Sequence, residues 1–381
     1  MQKTILLFTD WYEPGFKAGG PIRSCSNFVH QMRDGYKICI FTTDRDLNET
    51  TPYPSVVADT WLDIQDNVRI FYSSPVNLTW KNIRRMVTDI NPGFVYLNSM
   101  FSRYFTIYPL LMKKMGVIDG KLILSPRGML KQSALDFKPG KKKIFFSLFK
   151  GLGLHRKIHF HATDSIELED ISRQFGSGTV RTLIPNFPGK IEPLTGTPVK
   201  NPGELSIVFV GRLHPIKNLD YLLHLFPHVK GKISLTIIGG EENARYVEEC
   251  KNIVSSWPAG LPVDVKFAGE ISNDKLPAIF ARHHILAIPT RGENFGHAIF
   301  EALKAGRPVL ISDQTPWKGL SAVKAGWDLP LEDNRQFIEA LQQAIDFGQQ
   351  EYDEWCRAAW QHAYDYVTKS DLKTAYYKLF T

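Results

Sequence analysis

The chain has 381 residues, 22% of them charged and 43% apolar, and a formal net charge of +7. That length supports two domains, each with its own core, and no apolar run approaches the roughly 20 residues that a membrane-spanning helix needs. The four cysteines, Cys25, Cys39, Cys250 and Cys356, are far apart and lack metal-ligand spacing, so free thiols in a reducing cytoplasm are expected. The positive balance leaves three partner classes open: nucleic acid, an anionic membrane surface and phosphate-rich substrates.

The N-terminus has too short an apolar core for a signal peptide and turns acidic at Asp10, so residues 4–8 read as a first strand. Gly19-Gly20 then stands just ahead of a helix near 22–32. Adjacent glycines there let the backbone approach a ligand, and a flexible loop fits them equally well. Gly-x-Gly-x-x-Gly is absent, which argues against a dinucleotide site. A second strand, 37–43, runs into Asp44-Arg45-Asp46, a pattern that can hold a divalent metal and is also common in polar loops. Residues 47–66 read as a long loop, suited to shaping an acceptor site. Strands at 68–72, 94–97 and 121–124 alternate with helical patterns, as in a doubly wound, mainly parallel sheet.

Arg127 follows the strand at 121–124, and ligands of such sheets gather at carboxyl ends of strands. It reads as a residue for an acceptor carboxylate or a phosphate ahead of a surface arginine at a turn. From Lys138 to Lys157, basic and aromatic residues interleave. This suits a helix lying on an anionic membrane, with lysines outward and Phe or Leu inward, and equally a core-packing helix with solvated lysines. His159 and His161 alternate along a short strand, and 180–184 closes the first half. The Pro- and Gly-rich stretch after it marks the domain boundary: 1–188, a linker at 189–203, then 204–368.

In the second half, strands are expected at 205–210, 232–240, 263–269, 285–288, 309–311 and 326–329. Arg212 and Lys217 sit on the loop after the first of these, and Asn218 reads as the cap of a helix presenting Leu219, Leu222, Leu223 and Phe226. Between the strands at 285–288 and 309–311, Phe295, Ala298, Ile299, Ala302 and Leu303 fall at helical spacing, and Gly306 and Pro308 end the helix. Glu293 sits just before this helix. His297 and Glu301, four apart, share a face away from the apolar stripe. Amides near Phe295 and Gly296 form an anion site at the positive end of the helix dipole. Two carboxylates around such amides could read a sugar, a diphosphate and a ribose. Spacing alone favours a capped surface helix with two solvated glutamates.

The run Glu293-Asn294-Phe295-Gly296 with Glu301-Ala302-Leu303 and Gly306-Arg307-Pro308-Val309, preceded by Gly211-Arg212-Leu213 and Lys217-Asn218-Leu219, resembles the family-4 retaining glycosyltransferases. The resemblance implies an α/β, GT-B fold: two doubly wound Rossmann-like domains facing a cleft, with a C-terminal helix at 369–381 crossing back onto the first. It implies catalytic roles for Arg212, Lys217 and Glu293, the two cations on the donor diphosphate and the glutamate on the donor sugar. Gly19, Gly20, Asn294, Phe295, Gly296 and His297 would line the donor, and Glu301 would hold the ribose diol. Residues near 268–272 would meet the base, with Trp317 a wall. Arg127 stands where much of the family has a histidine, and it cannot act as a base because it stays protonated.

The implied donor is a nucleotide sugar, a UDP-sugar by preference, with no metal and no other cofactor. The implied acceptor is a glycan or lipid-linked intermediate in surface polysaccharide or lipopolysaccharide synthesis, handled at the inner face of the cell membrane. A nucleotide-sugar epimerase or hydrolase of the same fold is the competing enzyme reading. A non-catalytic membrane or nucleic-acid binder, driven by the basic stretch, is the competing binding reading. The chain carries no recognised nucleic-acid motif, so no nucleic-acid partner is expected.

Overall fold

A computed structural model describes residues 2–131, 135 and 139–381. Lys138 and the residue before it, where the basic–aromatic stretch begins, lie outside the described residues. Contacts divide the chain into two units, Met1–Phe187 with Asp371–Thr381, and Pro188–Ser370.

The first unit is built on β1 (Thr4–Phe8), β2 (Lys37–Thr43), β3 (Trp61–Gln65), β4 (Val68–Ser73), β5 (Phe94–Leu97), β6 (Lys121–Leu124), β7 (His159–Ala162) and β8 (Arg181–Leu183). Their order in the sheet is β3-β4-β2-β1-β5-β6-β7-β8. The central strands are apolar on both faces because helices cover both sides; Ile5, Leu6, Leu7 and Phe8 are all buried. Pairing is parallel except at the edge, where β3 runs antiparallel to β4. That strand lies in the segment expected to be a loop. Trp61 holds it there, packing on the Phe71 ring at 5.5 Å and under the Arg69 guanidinium.

The second unit carries β9 (Glu204–Val210), β10 (Lys232–Ile238), β11 (Val263–Gly269), β12 (Ile285–Ile288), β13 (Val309–Ser312) and β14 (Gly326–Leu329). Their order is β11-β10-β9-β12-β13-β14, and every pair is parallel. Residues 189–203 have no regular structure, yet they are packed into this unit rather than forming a free tether. Lys200 is buried, and its ammonium donates to the carbonyls of Asn201, Ile345 and Phe347, each at 2.9 Å. Burial pulls its pKa down to about 8. Arg307 donates to the Gly196 carbonyl at 3.0 Å.

In both sheets the strand order reverses once, between β1 and β5 and between β9 and β12. At such a reversal the outgoing loops diverge, and a crevice opens at the carboxyl ends of the strands. Among the described residues, no helix is long and apolar enough to cross a membrane.

Candidate functional site

The reversal in the second sheet collects the residues singled out around Glu293. After β9 the chain turns through Gly211 and a short 3-10 turn, Pro215–Lys217, then Asn218 with φ +59°. After β12 it runs through residues 289–296 into the helix His297–Lys304. Backbone bonds join the two loops: the Arg291 amide donates to the Ile216 carbonyl at 2.8 Å, and the Thr290 hydroxyl to the same oxygen at 3.0 Å. A third loop, after β13, joins through the Glu293 amide, which donates to the Gln314 carbonyl at 3.1 Å. Within this frame the Lys217 ammonium forms an ion pair with the Glu293 carboxylate, and both side chains are mostly shielded from solvent. The Lys217 stem runs alongside Gly211, close enough that a Cβ there would touch it at an ordinary 3.5 Å.

Arg212 projects elsewhere. Its Nη1 meets both carboxylate oxygens of Glu242 on the loop after β10, at 2.9 and 2.8 Å. The two cations on the β9 loop therefore rest on different carboxylates. Glu242 was not singled out from sequence; its thirty-residue separation from Arg212 carries no local signal.

The helix His297–Lys304 begins at Gly296, φ +76°, and no side chain caps it. Its first amides thus point out of the helix start with the positive end of the dipole behind them. Phe295 precedes the helix and is buried, against the rings of His297, Phe300, Trp317 and Tyr366. The Trp317 indole donates to the Phe295 carbonyl at 2.6 Å. The Phe295 ring is therefore a core anchor, and only its backbone is left to meet a ligand. Glu301 departs from the solvated-face expectation. It is buried and paired with Lys304 at 2.8 Å, because residues 189–190 pass over it. A Cβ on Gly189 would lie 3.2 Å from the Glu301 carboxylate, and Lys304 also donates to the Lys190 carbonyl. Asn218 does not cap its helix; the amide donates to the Pro289 carbonyl at 3.0 Å and accepts from Arg291 at 3.0 Å. It clamps the two loops together instead.

At the reversal in the first sheet, Asp10 leaves β1 and Ser102 follows β5. The Ser102 hydroxyl donates to the Asp10 carboxylate at 2.7 Å. Burial pushes the Asp10 carboxyl above its usual range, against the effect of that bond. Gly19, φ +66°, and Gly20 open the helix Gly20–Met32. Asp46 fixes the approach to them, accepting from the amides of Phe16 and Lys17 at 2.7 and 3.0 Å, while Asp44 pairs with Arg45 at 2.8 Å. The Asp44–Asp46 carboxylates are thus spent on loop structure. Among the described residues, no cluster of His, Cys, Asp and Glu forms a metal site.

Arg127 takes φ +55° at the end of β6 and is not a simple surface residue. It donates to Asn98 Oδ1 at 2.6 and 3.1 Å, to the Tyr96 hydroxyl at 3.0 Å, and to Asn186 Oδ1. All three partners are neutral. Glu167, fully buried, holds the turn by accepting from the Gly128 amide at 2.6 Å and the Thr163 amide at 2.8 Å. His159 and His161 are structural: His159 meets the Thr182 hydroxyl at 2.7 Å, and His161 sits between Tyr96 and the Ile184 carbonyl.

The model of the family described as glycosyl transferases group 1 matches residues 204–346. This stretch is similar to the group 1 glycosyltransferase domain. The D-inositol 3-phosphate glycosyltransferase of Rhodococcus erythropolis is 26% identical over 118 residues, 30% of this chain and 27% of that protein. The chain thus matches only about a quarter of that relative's length. Two solved structures cover nearly the whole chain. HepE of Anabaena, solved in complex with UDP-glucose, has a TM-score of 0.71 at 15% identity over 99% of each chain. WaaG, a glycosyltransferase involved in lipopolysaccharide biosynthesis, has a TM-score of 0.64 at 14% identity over 99% of this chain and 98% of that one. The fold is GT-B. The matched stretch holds Arg212, Lys217, Glu293 and the helix at His297, whereas Gly19, Gly20 and Arg127 lie in the other unit.

Proposed function

We propose that the protein is a retaining glycosyltransferase that moves a sugar from a nucleotide sugar, a UDP-sugar by preference, to a hydroxyl of a glycan or lipid-linked acceptor. The observation that carries this reading is the junction of three loops at the strand-order reversal of a stretch similar to a group 1 domain, where Lys217 rests on Glu293 beside an uncapped helix start. HepE, of the same fold, is solved with UDP-glucose, and WaaG serves lipopolysaccharide synthesis, which supports the donor and the surface-polysaccharide setting.

Departure of a nucleoside diphosphate leaves an oxocarbenium-like sugar and new negative charge on the phosphate. Preorganised cations and amides aimed at that charge are usually the largest catalytic term. Lys217 and the amides from Asn294 to His297 supply them, and Arg212 joins them by swinging away from Glu242. Glu242 and Glu293 neutralise the two cations. A diphosphate competes for them, which frees Glu293 to accept from sugar hydroxyls. Glu301 takes the ribose diol. No side chain is assigned as a nucleophile; the leaving phosphate receives the acceptor's proton.

The test is incubation with a panel of nucleotide sugars, with and without acceptor glycans, followed by product analysis. Sugar transfer that needs the acceptor and fails in Lys217→Ala supports the reading. Conversion or hydrolysis of the donor without an acceptor makes the protein an epimerase or hydrolase instead.

A further inference from the structure

The helix Pro139–Gly151 presents two faces of different kinds. Phe146 and Phe149 point into the core, where Phe149 packs on Phe175 at 5.3 Å. So the aromatic side goes inward to protein, as the core-packing alternative expected, and Phe does not face lipid. The outward side is apolar as well. Ile144 is 65% exposed and Leu148 61% exposed, one turn apart on one stripe. The Leu152 amide donates to the Leu148 carbonyl at 2.9 Å, so the stripe continues to Leu152, which is 42% exposed. Met115, 63% exposed, adjoins it, since the neighbouring Lys114 donates to the Leu152 carbonyl at 2.9 Å.

Among the described residues the rim of this stripe is mainly basic, with Asp119 the acidic neighbour of Lys113. Lys114, Lys143, Lys150, Arg156 and Lys157 are all exposed around it. Between Asp136 and Asp164 the sequence contains no acidic residue at all. At Lys113 burial lowers the pKa, Asp119 opposes it, and Lys157 adds a smaller lowering. Four large apolar side chains held out in water beside a ring of cations match an acyl–headgroup boundary with anionic lipid, where the apolar groups enter and the cations meet the headgroups. Lysine-rich rims are ill suited to a second copy of the same face, because like charges would oppose each other.

We propose that this face, Ile144, Leu148, Leu152 and Met115 with their basic rim, docks the first unit on an anionic lipid surface. The helix also abuts the strand-end edge of that unit: Phe101 packs on Phe145 at 5.1 Å, and the next residue, Ser102, holds Asp10. A lipid-borne acceptor would therefore arrive beside the carboxyl ends of β1 and β5. The docking proposal stands on this surface alone; vesicle binding without sugar transfer would leave it intact.

The experiment is co-sedimentation of the full chain with vesicles of phosphatidylcholine alone or with roughly 30% phosphatidylglycerol. Binding is expected only with the anionic vesicles. It should weaken about tenfold or more in Ile144→Ser/Leu148→Ser, in Lys143→Glu/Lys157→Glu, and in about 0.5 M salt. Circular dichroism checks that each variant is folded. A Leu148→Trp variant gives a second readout, a blue shift of the added indole's fluorescence on binding. No binding to anionic vesicles, binding unchanged in both double variants, or an unshifted indole signal from bound Leu148→Trp protein would each overturn the proposal. So would concentration-dependent dimerisation that Ile144→Ser/Leu148→Ser abolishes with no vesicle binding, which would give this face to a second copy of the chain.

Discussion

Lys217, Glu293 and Arg212 are three side chains whose worth rests on charge. Truncating any one to alanine is expected to lower transfer by about a hundredfold or more, the usual effect of losing one preorganised donor or cation. The fold should survive, because an exchanged ion-pair partner costs about 1–3 kcal/mol against a total of about 5–15 kcal/mol. Steady-state kinetics alongside thermal melts check both halves of that statement, and normal turnover in a folded variant removes the assigned role. His161 gives a prediction about pH. Its Nε2 donates to the Ile184 carbonyl at 2.8 Å and its Nδ1 accepts from the Tyr96 hydroxyl at 2.7 Å. Burial first, and then the Arg127 charge, lower its pKa to about 3 from an ordinary 6.5. The folded state thus keeps this ring neutral where the unfolded chain would protonate it. That stability is present in full above about pH 6.5 and drains as pH falls towards 3, by up to ~1.4 kcal/mol per pH unit. Urea unfolding between pH 7 and 5 should show the decline. His161→Gln should start less stable at pH 7 and give a flatter slope.

At the scale of the elements, the sequence was most legible where period and punctuation agree. β11 and β12 have the bounds that their apolar runs suggested, and the helix after Gly296 stops at Gly306 as its glycine and proline demanded. What could not be read was long-range. Asn218 has every local mark of a cap, but its amide is drawn to Pro289 and Arg291, more than seventy residues on. β3 carries polar residues and few repeats, and its pairing with β4, with Trp61 on Phe71 and under Arg69, makes it a strand. The Lys217–Glu293 contact spans 76 positions, so spacing could not show it; family likeness implied only that both residues meet the donor. Asp46 is a comparable case: it belongs to a short acidic motif at which no metal was expected, and its carboxylate staples the loop before Gly19. Asp46→Ala should leave the Phe16 and Lys17 amides without their partner and cost about 1–3 kcal/mol. If the loop serves the donor, KM for the nucleotide sugar should rise more than kcat falls. An unchanged melting temperature would show that the loop holds itself without the carboxylate.

For the whole molecule, a ligand that binds only the folded chain raises its stability. A nucleotide sugar present at about a hundred times its Kd should add roughly 2.7 kcal/mol, which moves the melting temperature by a few degrees. A screen of UDP- and GDP-sugars reads this directly, and a flat response across both series would weigh against the donor assignment. A second prediction concerns the helix Leu372–Leu379, which returns to the first unit. Tyr376, Leu379 and Phe380 are buried there, and the Phe380 ring stands 5.5 Å from each of Phe28, Phe94 and Tyr96. At about 1.5–3 kcal/mol for each large apolar side chain, deleting 371–381 should remove most of the margin that keeps this unit folded, read as loss of its cooperative melt. The same return has a consequence during synthesis. A ribosome adds roughly 5–20 residues each second, so the aromatic face of the first half waits bare for on the order of ten to forty seconds until its cover is translated. For that interval the nascent chain offers a holdase chaperone a sticky surface, and a premature stop ahead of Asp371 should be sensed as damage in the first unit.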